Sequence, residues 1–139
     1  MPTARPFHYA FAVAELESTR RFYGDVLGCA EGRSTGTWVD FDFWGNQISA
    51  HLGARAEAQA HGHVDGVAVP IPHLGAILGW DEFEALAARL RAAKVGFVIA
   101  PQVRYAGLPA EQATMFFLDP SGNAIEIKAY RHPEHVYTS

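Results

Sequence analysis

The chain reads as one structural unit written twice, and that repetition limits its fold more than any other feature. Residues Phe7 to Val13 alternate, with Phe7, Tyr9, Phe11 and Val13 on one face and His8, Ala10 and Ala12 on the other. The spacing of Leu16, Tyr23, Val26 and Leu27 predicts a helix over Glu15 to Leu27, closed by Gly28. Trp38 to Phe43 and Gln47 to Leu52 then alternate as two strands about a Gly45-Asn46 turn. The second half keeps the order. Pro72 to Leu78 reads as a strand. A helix follows with Asp81 as N-cap, Glu84 three residues on, and an apolar stripe of Phe83, Leu86, Ala87 and Leu90. Gly96 ends it. Phe97 to Ile99, Thr114 to Leu118 and Ala124 to Tyr130 are the remaining strands, the last entered through the turn Asp119 to Asn123.

Each half therefore runs strand, helix, strands, starts with a histidine in its first strand, and feeds its last strand from a Gly-Asn pair, at Gly45-Asn46 and Gly122-Asn123. We place the first unit at about residues 5–53, a linker at 54–70, the second unit at about 71–130 and a tail at 131–139. The second unit carries extra residues around Tyr105 to Glu111, read as a loop. The segment Gly53 to Pro70 is rich in Ala, Gly and His; His61 and His63 form a His-x-His pair that either binds metal or sits in a solvated loop. The expected class is α+β.

A strand sends alternate side chains to opposite faces, so the neighbours of each polar strand residue can be named. His8 shares its face with Ala10 and Ala12, His73 with Gly75, Glu126 with Ala124, and His51 with Ser49. Ligand-type side chains thus stand beside small ones, as in the lining of a cavity. The opposite faces carry Phe7, Phe11, Leu74, Ile125 and Ile127, which suit a helix-covered core. Two imidazoles and a carboxylate are the donors of a divalent-metal site with open positions, and His8, His73 and Glu126 are the candidate ligands. The alternative is a soluble α+β domain with a different ligand. Tyr105 and Tyr130 are candidate substrate contacts, with simple packing as the alternative.

Composition excludes several classes. About half of the 139 residues are apolar and the net charge is −4, which argues against disorder and gives no basic footprint for nucleic acid. One cysteine, Cys29, rules out an internal disulfide, and it reads as a small packed residue. No run of about 18 apolar residues predicts a membrane span, and the first residues lack the apolar stretch of a signal peptide, so a cytoplasmic location is expected.

The pattern resembles the vicinal oxygen chelate superfamily, the group of glyoxalases, bleomycin and fosfomycin resistance proteins and extradiol dioxygenases. The resemblance is carried by Phe7 to Val13, by Arg21-Phe22-Tyr23-Gly24-Asp25-Val26-Leu27-Gly28, by Pro72-His73-Leu74 and by Phe117 to Glu126. It implies two βαβββ modules whose curled mixed sheets form a cup with the helices outside. It implies His8, His73 and Glu126 as ligands of a divalent ion, Fe2+ first, with Mn2+, Ni2+ or Zn2+ as alternatives. It also implies a small-molecule substrate and a homodimer. Where four-ligand glyoxalases place a glutamate, this chain has Ser49, with His51 two residues on. The three-ligand set suits a small extradiol-type dioxygenase acting on a catecholic or other vicinal-oxygen substrate, with His51 as acid–base. A glyoxalase-like lyase, isomerase or transferase using the metal as Lewis acid, and a non-enzymatic binder of the bleomycin-resistance type, are the alternatives.

Overall fold

The computed structural model describes residues 5–54, 60–64 and 66–138. The chain divides into two compact units, residues 1–57 and 58–139.

In the first unit β1 (His8–Val13) is followed by α1 (Leu16–Arg20), which widens into a π-helical turn over Arg21–Val26. Then come β2 (Ala30–Ser34), β3 (Trp38–Phe43) and β4 (Asn46–Leu52), and the strands lie in the order β1-β4-β3-β2. β1 pairs parallel with β4, while the other pairs are antiparallel. The expected single helix is thus two pieces. Phe22 and Tyr23 are consecutive and both buried. A regular α-turn separates neighbouring side chains by about 100°, and the wider turn sets both rings on the core side. Tyr23 lies 5.7 Å from Phe11 and 5.4 Å from Phe41, centroid to centroid. The Leu27 N–H donates to the Phe22 carbonyl across that turn, and Gly28 leaves it with φ 80°. Cys29 is buried, as expected. The β3–β4 turn falls on Trp44 and Gly45, one residue earlier than expected, with φ 48° and 89° and Phe43 facing Asn46. Positive φ at both central residues is the two-residue hairpin turn whose twist matches the flanking strands.

The second unit opens on an element that the sequence did not reveal. The segment read as a linker holds an antiparallel hairpin, β5 (Ala60–Val64) and β6 (Val67–Ile71). Val69 is buried and clusters with Ile99, Phe116 and Ala124, with Val64 and Val98 packed against them. A composition of Ala, Gly and His has little strand propensity, and this packing supplies what local preference lacks. His61 and His63 are exposed on the face of β5 opposite Gly62 and Val64.

After the hairpin come β7 (Leu74–Leu78), α2 (Trp80–Ala92), β8 (Phe97–Arg104), β9 (Gln112–Leu118) and β10 (Ala124–Tyr130). Their order, β7-β10-β9-β8, repeats that of the first unit, again with one parallel pair, β7 with β10. Both units are therefore βαβββ modules on mixed sheets. α2 starts earlier than expected: Gly79, not Asp81, caps it, and the Gly79 N–H donates to Glu82 Oε1 at 3.0 Å. Phe83, Leu86, Ala87 and Leu90 are buried, as their spacing predicted. The helix packs on β9 and β10, where the face of Ile125, Ile127 and Ala129 with Phe117, Met115 and Ala113 is closed. The other face of the same strands carries Gln112, Thr114, Phe116, Glu126, Lys128 and Tyr130.

Candidate metal centre

His73 and Glu126 come together within the second unit. Glu126 sits in mid-β10, 8% exposed, opposite Phe116 on β9 and Gly75 on β7. Thr114 Oγ1 donates to Glu126 Oε2 at 2.9 Å, which orients the carboxylate and leaves Oε1 for other partners. Lys128 Nζ stands 3.9 Å from Oε1. His73, just before β7, has its ring edge-on to Phe116 at 4.9 Å. Its Nδ1 is 2.8 Å from the Pro70 carbonyl oxygen. A carbonyl only accepts, so Nδ1 carries a proton and Nε2 is the ring's other valence.

That Nε2 lies 3.5 Å from Glu126 Oε1. The distance decides how to read the contact. A charge-assisted N–H to carboxylate hydrogen bond closes to about 2.7–2.9 Å, and this pair is well outside it. Two ligands of one ion held at about 2.0–2.2 Å reach up to about 4 Å apart, and this pair is inside it. With Nδ1 donating to Pro70, Nε2 and Oε1 face each other across a gap that suits a cation. A hollow of about 170 Å³ opens beside the pair, lined by Gly75, Ile77 and Lys128.

Gly75 is part of this geometry. A Cβ built there would run into the Glu126 carbonyl oxygen, so β7 and β10 approach to a distance that only glycine allows.

In the first unit, His8 is exposed at the start of β1, with Nδ1 2.8 Å from Gln47 Oε1. His51 shares the face but stands opposite Ala12, four residues along from His8, about 13 Å at the usual strand rise. Its ring packs against Trp38, 6.2 Å between centroids. Among the described residues no group of three or more His, Cys, Asp or Glu is gathered for a metal; the convergent pair is His73 and Glu126. Tyr130 stands on the Glu126 face opposite Gln112, whose buried Oε1 has no hydrogen-bond partner among the described residues. Tyr105 is half exposed with φ 55°, and its hydroxyl accepts from Arg104 at 3.0 Å. It opens the loop to Glu111. There Glu111 Oε1 accepts from the Gly107 N–H at 2.9 Å and Oε2 from Arg131 at 3.1 Å.

The sequence reading missed Thr114, Lys128, Gln47 and the Pro70 carbonyl. Thr114 had a usable signal, being two residues before Phe116 on the same strand face. The others depend on strand register or on the hairpin.

The comparisons with known proteins follow from this architecture. The family profile for the Glyoxalase/Bleomycin resistance protein/Dioxygenase superfamily matches residues 5–127. The chain belongs to that superfamily. A solved glyoxalase/bleomycin resistance protein/dioxygenase from Alicyclobacillus acidocaldarius is 27% identical, with a TM-score of 0.78 and 96% of each chain covered. The fosfomycin resistance protein FosX from Listeria monocytogenes has the same fold at 18% identity, TM-score 0.70, covering 98% of this chain and 100% of that one. So does the lactoylglutathione lyase from Agrobacterium tumefaciens, at 16% identity and TM-score 0.62, with 93% and 96% covered. The comparison with curated proteins gave no match. The chain is built from two βαβββ units, and no helix among its described residues is long and apolar enough to cross a membrane.

Proposed function

We propose that the protein is a metal-dependent enzyme in which His8, His73 and Glu126 hold a divalent ion and the substrate presents two adjacent oxygens. One observation carries the reading: His73 Nε2 and Glu126 Oε1 face each other at 3.5 Å while Pro70 occupies the other ring nitrogen. A bound divalent ion supplies Lewis acidity and, as iron, redox capacity. The chain's own residues do the rest. Thr114 holds the carboxylate in its ligating orientation. Lys128 offsets its charge. Tyr130, and Tyr105 from its loop, contact the substrate. His51 moves the substrate proton, serving a substrate that extends along β1 and β4.

Within that frame the first reading is a small extradiol-type dioxygenase with Fe2+ (or Mn2+) and a catecholic substrate. A second reading, a glyoxalase-like lyase, isomerase or transferase with Mn2+, Ni2+ or Zn2+, is favoured by Phe116. This fully buried ring lies against His73, where a hydroxyl would assist oxygen chemistry. The resemblance further supports a homodimer. A non-enzymatic binder of the bleomycin-resistance type is the outcome that a metal-free protein would favour.

Metal analysis of the as-purified protein, followed by oxygen uptake with catechols after Fe2+ loading, separates these readings. About one ion per chain, lost in His73→Ala, is the expected result. Full occupancy in His73→Ala refutes the ligand assignment. Oxygen consumption selects the dioxygenase, and a metal-loaded protein that consumes none selects the Lewis-acid reading. His51→Ala should keep the metal and lower turnover.

A further inference from the structure

His8 is the end of a chain of side chains that the metal reading does not explain. On one face of the first sheet, His8, Gln47 and Asp42 stand in register, and Ala10, Ser49 and Asp40 form the next rung. His8 Nδ1 is 2.8 Å from Gln47 Oε1. Gln47 Nε2 donates to Asp40 Oδ2 at 3.4 Å. Ser49 Oγ donates to Asp40 Oδ1 at 2.5 Å. Asp40 is 9% exposed and Ser49 4%.

The polarity of this chain has a direction. A carboxylate only accepts, so Asp40 selects the amide nitrogen of Gln47, and the Gln47 oxygen is left for His8. That oxygen also only accepts, so it selects the Nδ1–H tautomer. The Nε2 lone pair is then free. A hollow of about 320 Å³, lined in part by Asp40 and Gln47, lies beside these residues, and without the buried Asp40–Ser49 pair solvent would leave the amide free to turn over.

We propose that Gln47, oriented by Asp40 and Ser49, is a positioning residue that locks His8 in the Nδ1–H tautomer and so presents Nε2 to the metal. The claim about affinity rests on His8 being a ligand, as argued above; the claim about the tautomer does not. The arrangement mirrors the other histidine, where the Pro70 carbonyl fixes the same tautomer from the main chain. Partners of this kind typically change metal affinity by about 10- to 100-fold.

The decisive variant is Asp40→Asn. It keeps the shape of the side chain and leaves an oxygen to accept from Ser49, but turns an NH2 toward Gln47. Gln47 then offers its own NH2 to His8, and the tautomer inverts to Nε2–H. The experiment is long-range 1H–15N correlation of the histidine rings in metal-free protein at about pH 8.5, where an ordinary imidazole is neutral, together with Zn2+ titration calorimetry. Wild type should show His8 as Nδ1–H. Asp40→Asn should show Nε2–H and bind Zn2+ at least tenfold more weakly, with His73 signals unchanged. Gln47→Leu should give a mixture. Nε2–H in the wild type, or His8 signals that Asp40→Asn leaves unmoved, overturns the proposal. A shifted tautomer with unchanged Zn2+ affinity overturns the affinity claim. If His8→Ala also binds Zn2+ as wild type does, the fault lies in the ligand assignment and not in the side-chain relay.

Discussion

At the scale of single residues, the Glu126 carboxylate is set by its cross-strand neighbours. Glu126 is nearly buried, and the Thr114 hydroxyl is its donor at Oε2. Replacing Thr114 with valine keeps the shape and leaves a buried carboxylate oxygen without that bond, so we expect a loss of about 1–3 kcal/mol, measured as a lower midpoint in urea. Metal should partly restore it, because binding stabilises the folded state. Glu111 behaves differently. The Gly107 N–H, and after it Arg131, hold its carboxyl below the usual carboxylate range. A depressed folded value means that its contribution is complete above the unfolded value of about 4.3. It is lost as pH falls through the folded one. The 105–111 loop should therefore stay closed at neutral pH and open as pH falls through the depressed folded value, whereas Glu111→Gln, which never carries the charge, should be open across the range. Proteolysis of the loop against pH reads this out; an unchanged cleavage profile in Glu111→Gln would show that the carboxylate does not latch the loop. Residue identity also marks how far sequence reading reaches. Glu126 was legible because a period of two assigns strand faces without coordinates, whereas His73, read as part of the same kind of strand, stands one residue before β7. Gln47, Asp40 and Thr114 act through cross-strand neighbours, and register is fixed by pairing that no local pattern reports.

At the scale of elements, the closeness of β7 and β10 is the feature most open to test. Gly75→Ala puts a methyl into the Glu126 carbonyl oxygen, backbone against backbone, with no flexible side chain to yield. β7 must move away, taking His73 from Glu126. We expect a destabilisation above about 1 kcal/mol and a fall in metal affinity of at least tenfold, measured by denaturation and calorimetry. Gly36→Ala, where an added Cβ meets nothing, is the control and should change neither. The elements also divide by legibility. α2 was readable from its stripe, but its start was misplaced, because Gly79 caps with its backbone and carries no side chain to announce it. The helix after β1 was readable as helical, but not as a π-turn, in which two adjacent rings share the core. The β5–β6 hairpin was invisible, since Val69 gains its burial from Ile99 and Phe116, some thirty and more positions away. β2 was missed because all five of its residues are exposed and lack alternation.

At the scale of the whole molecule, the duplication was legible, and it set the fold. Two copies of strand, helix, strands predicted two mixed sheets, and both have the first strand beside the last. What duplication does not predict is divergence between the copies. The hairpin enlarges only the second unit, and only the second unit joins two candidate ligands on its own. β1 and β7 are edge strands of their sheets, with Ile77 half exposed on β7 and Leu52 on the neighbouring β4. Exposed edges of this kind invite pairing with another chain. We expect light scattering to give twice the 15.2 kDa chain mass.

The two histidines differ in what secures them, and the difference bears on heredity. The imidazole at 73 is held by a main-chain oxygen, which every amino acid at position 70 would supply. The imidazole at 8 is held through three separate codons, those of residues 47, 40 and 49. A library of single substitutions should find the first anchor almost mute and the second sensitive at each of its three steps. Genetic drift can therefore undo the orientation of the imidazole at 8 long before it reaches that at 73.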